Sequence, residues 1–368
     1  MKVDSRRNFI KNVGLFSTAL VVAPLVSCGK RVNGSSSGDH DSIPPAPTGN
    51  EHFFQTRGAI LAWEDITSLD WPMLASQAGL TTLSVHTSDT NMQSAAFKKF
   101  LLDCQGFNIA VEYEQHAMAE LLPRSLFARQ PELFRMDEKG NRTDDFNCCP
   151  SSTEALEIIA RNARERALKQ QPTTGRYYFW LDDGGKKCHC PDCKEWEDSD
   201  QALVIENRIV LELKELDPRN SLAHLAYQST MKAPKAIKPE PGIFLEYAPF
   251  FRSWSQPLAD RNAKREGMTI THGEYIDHLA ANLSVFPKDT AQVLEYWLDV
   301  SLFSDWKKPA VKLPWNRDVF LSDIDTYAKM GIRHITTFAV YIDGAYEKAH
   351  KDLSFIKEYG NGLLNYQG

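Results

Sequence analysis

The chain has 368 residues, of which 42% are hydrophobic and 24% are charged, the balance of an ordinary globular protein. The net charge is −6 and no long basic run occurs, so the concentrated positive surface that nucleic-acid binding requires is missing. Aromatic residues make up 11% of the chain, which suits sugar binding, although core packing accounts for most aromatics in most proteins.

The N-terminal segment, residues 1–28, has the features of an export signal. Residues 5–11, "SRRNFIK", form a twin-arginine pattern, and the apolar stretch behind it is too short for a good membrane span. The stretch ends on "LVSC", which looks like a bacterial lipobox whose cysteine, Cys28, would be lipidated. An ordinary signal peptide that happens to contain a cysteine is the alternative. We predict twin-arginine export and a lipid anchor on a bacterial membrane, facing the periplasm or the cell surface.

The next segment, residues 29–50, is rich in Gly, Ser and Pro and has little to bury, which predicts a flexible linker. No internal repeat or second linker is visible after it. Residues 51–368 are therefore predicted to form one domain, which would contact the membrane only through the lipid anchor.

Eight short apolar runs, rich in β-branched and aromatic residues, alternate with helical segments along this domain. The predicted strands are residues 58–63, 81–86, 108–114, 177–183, 221–228, 242–250, 291–299 and 332–343. Residues 152–171 have apolar residues at the 3.6-residue spacing of a buried helix face, and residues 199–216 and 316–331 are similar. This alternation predicts a (β/α)8 TIM-type barrel of the α/β class. A doubly wound sheet is the alternative, but no Gly-rich nucleotide loop follows the first strand.

The C-terminal ends of barrel strands, where active sites lie, are rich here in acidic and aromatic residues. This combination fits carbohydrate, because sugar rings stack on aromatic side chains while their hydroxyls hydrogen-bond to carboxylates. Any one of these residues could be an ordinary solvated loop residue, so the prediction depends on their concentration. The predicted substrate-binding residues are Trp63, His86, Glu114, His116, Tyr227, Glu246, Tyr247, Trp297, Asp299, Tyr341 and Asp343.

Two adjacent acids, Asp182 and Asp183, end the fourth predicted strand within "FWLDDGGKKCHCPDCK", residues 179–194. The glycines that follow let the chain turn, so both acids can reach one pocket. Side-by-side carboxyl groups can divide the work of proton donor and charged group between them, and glycosidic cleavage needs that division. The alternative is that Asp-Asp-Gly-Gly is only a turn.

The chain resembles the family called domain of unknown function 4838, some members of which are classed as glycoside hydrolase family 163. The resemblance covers most of residues 58–360, and its most specific part is the acid–glycine–cysteine segment. The matching segments are residues 121–152, 179–193, 225–230, 295–315 and 331–346.

This resemblance implies cleavage of N-acetylglucosamine linkages in N-glycans by substrate-assisted catalysis, with no cofactor for the reaction. Asp182 would orient the acetamido group of the substrate, and Asp183 would be the general acid. A conventional mechanism with two carboxylates is the alternative, with Glu246, Glu295 or Asp299 as the partner.

The cysteines of the domain fall into two groups on loops at the same barrel rim. The C-x-C-x-x-C spacing is too tight for pairing within itself and favours a structural zinc with one further cysteine. A disulfide between the groups, or free thiols, are the alternatives. The candidate metal ligands are Cys188, Cys190, Cys193 and one of Cys148 and Cys149, whereas Cys104 is predicted to be core.

Three functions remain open from the sequence. The first is a membrane-tethered glycoside hydrolase acting on glycans, and the second is a catalytically inactive barrel that only binds glycans. The third is an oxidoreductase or metal-dependent hydrolase centred on the cysteines, which would need a metal with an open coordination position.

The lipobox can be tested with a single substitution. Cys28→Ala should abolish incorporation of labelled fatty acid and release the protein from membranes, because the acyl chains are the predicted anchor. Cys104→Ala is the matched control and should remain in the membrane fraction. Equal labelling of the Cys28→Ala variant and the wild type would contradict the prediction.

Overall fold

The computed structural model describes residues 52–368; the twin-arginine segment, Cys28 and the linker of residues 29–50 lie outside the described residues. Across residues 52–368, no helix has the length and apolar character needed to span a bilayer. The strands are β1 (Thr56–Ala62), β2 (Thr82–His86), β3 (Ala110–Glu112), β4 (Glu114–His116), β5 (Arg176–Trp180), β6 (Ser221–Ala226), β7 (Ile243–Tyr247), β8 (Gln292–Glu295) and β9 (His334–Phe338).

Helices follow most of the strands and form the outer layer. They are α1 (Trp63–Ser68), α2 (Trp71–Ala78), α3 (Asp89–Met92), α4 (Ala95–Gly106), α5 (Met118–Leu121), α6 (Thr153–Gln170), α7 (Asp198–Leu216), α8 (His272–Asn282), α9 (Val300–Phe303), α10 (Arg317–Lys329), α11 (Gly344–His350) and α12 (Ser354–Leu364). The three helices that periodicity predicted correspond to α6, α7 and α10. Helix α6 begins where Ser152 accepts the backbone N–H of Ala155, as its sequence predicts.

Every strand pairs in parallel with its neighbours, in the order β3-β2-β1-β9-β8-β7-β6-β5-β4. The two ends of this order, β3 and β4, are halves of one strand interrupted at Tyr113. The first half pairs with β2 and the second half pairs with β5. The sheet is therefore an eight-stranded barrel closed through residues 110–116, and the predicted TIM-type fold is confirmed.

Several strands end earlier than their apolar runs predicted. β5 ends at Trp180, before the two acids, and β9 ends at Phe338. Tyr341, predicted to lie in the last strand, has φ 73°, a left-handed conformation that no strand residue adopts. Apolar character extends past the last paired residue because the barrel rim also buries its loops.

The barrel interior contains a polar network rather than a purely apolar core. The hydroxyl of Tyr178 has two acceptors for its single proton, an oxygen of Glu112 at 3.0 Å and the side-chain oxygen of Gln292 at 3.1 Å. Higher in the barrel, Trp180 Nε1 donates to one oxygen of Glu246 at 2.6 Å and Gln292 Nε2 to the other at 3.2 Å. Glu246 is therefore held by two donors in the barrel interior.

Glu114 lies beside Glu246 without comparable support. Its side chain is fully buried, and its side-chain partners are Glu246 and Ser84. Burial, followed by the negative charge of Glu246, raises the pKa of Glu114 well above its ordinary value. Burial also raises the pKa of Glu246 to about 7. The fold thus holds a carboxyl pair that retains protons above the pH at which the unfolded chain would lose them.

Replacing Glu114 should change how stability depends on pH. Because the pKa of Glu114 is raised in the folded state, the native protein binds more protons than the unfolded chain. The resulting contribution to stability is fully present below the unfolded pKa of about 4.3 and is lost as pH rises through the folded pKa. Glu114→Gln has no proton to lose. Its free energy of unfolding should therefore fall less between pH 5 and 8 than that of the wild type, by up to about 1.4 kcal/mol per pH unit.

Urea unfolding at several pH values measures this difference. Glu165→Gln, on the exposed side of α6, is the matched control and should follow the wild-type curve. Parallel curves for wild type and Glu114→Gln would show that the interior pair does not hold the extra proton.

Candidate functional site

The turn after β5 brings together the strongest sequence signals. The backbone N–H of Gly185 donates to the carbonyl of Asp182 at 3.0 Å, and Gly184 has φ 65°. A Cβ on Gly185 would lie 2.7 Å from that carbonyl oxygen and 2.8 Å from the side-chain nitrogen of Asn147. The turn therefore requires glycine, because the loop containing Asn147 packs directly against it.

Asp182 is anchored by that neighbouring loop. Its Oδ2 accepts the backbone N–H of Asn147 at 2.5 Å and an ion-pair hydrogen bond from Arg124. Its own backbone N–H donates to Asn147 Oδ1 at 2.8 Å, and Arg124 donates to the carbonyl of Asn147 at 2.6 Å. Oδ2 thus accepts from both Asn147 and Arg124, whereas Oδ1 has no donor among the described residues. Asp182 is thus fixed in orientation with one acceptor still available.

Asp183 has a different environment. Its side chain is only 9% exposed, and both carboxyl oxygens are buried without a donor among residues 52–368. A buried carboxyl without partners is costly to folding, so natural proteins usually keep one only where it has a task. The two adjacent acids therefore differ: Asp182 is held in an ion pair, and Asp183 is left without partners.

A small pocket lies beside Asp182, with a cavity volume of about 40 Å³. Two predicted residues, His116 and Tyr227, line it together with Gln228. The His116 ring is hydrogen-bonded to the carbonyl of Leu181 and lies 5.3 Å from the Trp180 ring, between centroids. The structure thus brings Asp182, His116 and Tyr227 together, whereas Asp183 does not line this pocket and Glu114 and Glu246 lie in the barrel interior.

Two predicted aromatic residues, Tyr247 and Trp297, point away from the barrel interior and do not line the Asp182 pocket. The Tyr247 hydroxyl donates to the carbonyl of Tyr275 in α8 at 2.6 Å. Trp297 packs on Phe320 of α10 with ring centroids 5.1 Å apart. Alternate residues of a strand face opposite sides, so the inward position of Glu246 turns Tyr247 outward.

Two predicted acids, Asp299 and Asp343, are helix caps and do not line the Asp182 pocket. Asp299 accepts the backbone N–H of Leu302 at the start of α9. Asp343 accepts the N–H of Tyr346 at the start of α11 and pairs with Lys308. The first turn of a helix leaves backbone donors without partners, and these carboxylates satisfy them.

Three further predicted residues, Trp63, His86 and Tyr341, do not line the Asp182 pocket. Trp63 is the first residue of α1, with its ring 6.4 Å from that of Phe97. His86 is the half-buried last residue of β2. Tyr341 lies under the ammonium of Lys308, which is 4.8 Å from the ring centroid. None of these three residues therefore lines the pocket beside Asp182.

Glu295, one alternative partner in a two-carboxylate mechanism, is part of a buried ion network outside the barrel. Arg252 contacts both Glu295 and Asp323, and all three side chains are fully buried. Tyr327 also donates to Glu295 at 2.6 Å. With Asp299 acting as a cap, Glu246 is the alternative partner that remains at the barrel centre.

The cysteines meet at the same rim. The sulfurs of Cys149, Cys188, Cys190 and Cys193 all lie within 4.8 Å of one another, in a group that could hold a metal ion. Cys148 instead packs in the main hydrophobic core, because adjacent residues point to opposite sides of the extended chain. Cys104 is buried in the same core.

Two residues of this site, Arg124 and Asn147, were missed from the sequence. Arg124 lies in a short 3-10 helix, 58 residues before its ion-pair partner. Asn147 has φ 39°, a left-handed conformation that asparagine tolerates better than most residues. In the sequence, Asn147 stands out only because it directly precedes two cysteines, and that position does not indicate a hydrogen bond to Asp182.

Comparison with known structures finds TIM-barrel enzymes. A β-N-acetylhexosaminidase from Bacteroides fragilis is 12% identical, with a TM-score of 0.51 over 86% of this chain and 68% of that chain. A glycoside hydrolase family 20 β-N-acetylglucosaminidase is 9% identical, with a TM-score of 0.47 over 86% and 71% of the two chains. A broad-specificity endoglucanase of glycoside hydrolase family 5 from an uncultured bacterium is also 9% identical, with a TM-score of 0.45 over 83% and 86%. At such low identity, the first of these likenesses supports the barrel fold alone.

Comparison with curated proteins finds no match. The sequence profile of one family, described as a domain of unknown function (DUF4838), matches residues 50–364. This match spans the whole barrel, including the acid turn and the cysteine group. The chain therefore belongs to the DUF4838 family.

Proposed function

We propose that this protein is a glycoside hydrolase that cleaves N-acetylglucosamine-containing glycans by substrate-assisted acid catalysis. The observation that carries the proposal is the contrast between two adjacent carboxyl groups at the end of the fourth barrel strand. Asp182 is oriented through one oxygen, and Asp183 is buried without a partner. Active sites of TIM barrels lie at this end of the strands.

Each acid has a separate task in the proposed reaction. Asp183 donates a proton to the glycosidic oxygen, so that the leaving sugar departs as an alcohol. The carbonyl oxygen of the substrate's own acetamido group attacks the anomeric carbon as that bond breaks. Asp182 Oδ1 accepts the acetamido N–H and holds the group in line, while Arg124 and Asn147 keep Asp182 from rotating.

The pocket residues suit a sugar as substrate. His116 and Tyr227 combine ring faces with polar atoms, and Gln228 donates to the Tyr227 hydroxyl at 2.6 Å. The four-cysteine group argues against an oxidoreductase or metal-dependent hydrolase centred on the cysteines, because four sulfur ligands leave no open position for water on a metal. We also propose that the enzyme is exported and lipid-anchored, as the N-terminal sequence predicts.

Substrates that differ in leaving group separate the two roles. Asp183→Asn should lower turnover of a natural N-acetylglucosaminide by roughly 10²–10⁴-fold, the usual contribution of general acid catalysis. The loss should be much smaller for a nitrophenyl glycoside, whose leaving group needs no proton. Asp182→Asn should impair both substrates, because the attacking acetamido group is misplaced in each.

Asp192→Asn, an exposed carboxylate in the same loop, is the matched control and should retain activity. Equal losses of Asp183→Asn on both substrates would show that the roles are misassigned and would favour Glu246. Wild-type protein that binds N-glycans but hydrolyses none of them would instead identify a glycan-binding barrel.

A further inference from the structure

We propose that Cys149, Cys188, Cys190 and Cys193 form a closed tetrahedral zinc site that joins two loops of the barrel rim. The sulfur of Cys149 lies 3.7 Å from that of Cys188 and 3.7 Å from that of Cys190. Four sulfurs about 2.3 Å from a central zinc would be roughly 3.8 Å apart. A disulfide would require about 2.05 Å between two of them.

The surroundings of the sulfurs suit thiolates rather than an apolar cluster. The backbone N–H of Met136 donates to Cys188 Sγ at 3.3 Å, and Arg142 Nη1 lies 3.9 Å from the same sulfur. The Ser151 hydroxyl is 3.2 Å from Cys149 Sγ and 3.6 Å from Cys190 Sγ. Four thiolates around one Zn²⁺ leave two excess negative charges, and these donors lie where they offset that excess.

The loop that supplies three of the sulfurs is held by its own backbone hydrogen bonds and by the side chain of Gln201. The N–H groups of Cys193 and Lys194 both donate to the carbonyl of Cys190 at 3.0 Å. Gln201 of α7 accepts the N–H of Cys188 at 2.8 Å and donates to the carbonyls of Cys188 and Cys193 at 2.9 Å. The sulfurs therefore converge on a preformed site.

His189 is not one of the ligands, although it lies between two of them in sequence. Its Nε2 is 3.4 Å from Glu138 and it is not part of the four-residue group. The four sulfurs alone complete a tetrahedron, so the zinc has a structural role.

The position of the site explains what the metal would stabilise. Cys149 follows Asn147 by two residues, and Cys188 follows Asp182 by six. Asn147 and Asp182 are the residues that bond the two loops to each other. Zinc would cross-link the same loops a few residues further on and keep Asn147 against Asp182. Metal binding does not depend on the proposed hydrolytic activity, so either can fail without the other.

Adjacent cysteines provide a matched pair of variants. Full-length wild type and Cys148→Ala should each contain about one zinc per chain by elemental analysis, since Cys148 lies outside the cluster. Cys149→Ala should lose the zinc, and His189→Ala should keep it. If Cys149→Ala does not fold, cobalt-substituted wild type gives the answer, because tetrahedral thiolate coordination has an intense characteristic absorption.

Hydrogen exchange tests the cross-link separately from activity. Chelation of the metal should reduce amide protection in residues 145–150 and 186–194 and leave the remote strand β8 unchanged. Uniform loss across the barrel, or no loss at all, would contradict a local cross-link.

Three other results would overturn the site itself. The first is equal zinc loss in the Cys148→Ala and Cys149→Ala variants. The second is a denatured wild type that shows two or four fewer reactive thiols until it is reduced, which would identify disulfides. The third is a reduced, metal-free wild type that binds no zinc on titration.

Discussion

The barrel is closed by one strand that hydrogen-bonds to two neighbours in succession. Residues 110–112 pair with β2 and residues 114–116 pair with β5, with the break at Tyr113. Closure brings the C-terminal ends of all strands to one rim, so loops that are distant in sequence meet there. The contact of Asn147 with Asp182 and the meeting of Cys149 with Cys188 both depend on it.

Closure also creates an interior that must be filled. Here polar side chains fill part of it, and Glu114 is buried beside Glu246. A buried carboxyl pair costs free energy as pH rises, because the native state must release protons from a site that stabilises their bound form. The interior network and the rim acids are thus two separate groups of carboxyls with different electrostatic environments.

On the rim, one short turn links the proposed catalytic and structural sites. The same loop that fixes Asp182 through Asn147 places Cys149 among the other three sulfurs. Orientation of a catalytic carboxylate requires support from neighbouring groups that cannot move independently. A zinc cross-link between these loops would supply that support more rigidly than the hydrogen bonds alone.

The sequence by itself determined the alternation of strands and helices, and from it the TIM-type barrel. It also identified the Asp182-Asp183 turn and two cysteine groups on one rim. These features are local, since periodicity, turn glycines and cysteine spacing act over a few residues. The sequence placed several strand ends too far along the chain, because apolar residues continue past the last paired position into buried rim loops.

Only the tertiary structure decided which way each rim side chain points and what it contacts. Tyr247 and Trp297 face the helices, Asp299 and Asp343 cap helices, and Cys149 rather than Cys148 joins the other three cysteines. The direction of a strand-end residue depends on where pairing stops, and its partners come from segments up to hundreds of residues away. Arg124 and Asn147 could be assigned to Asp182 only once closure had set those segments side by side.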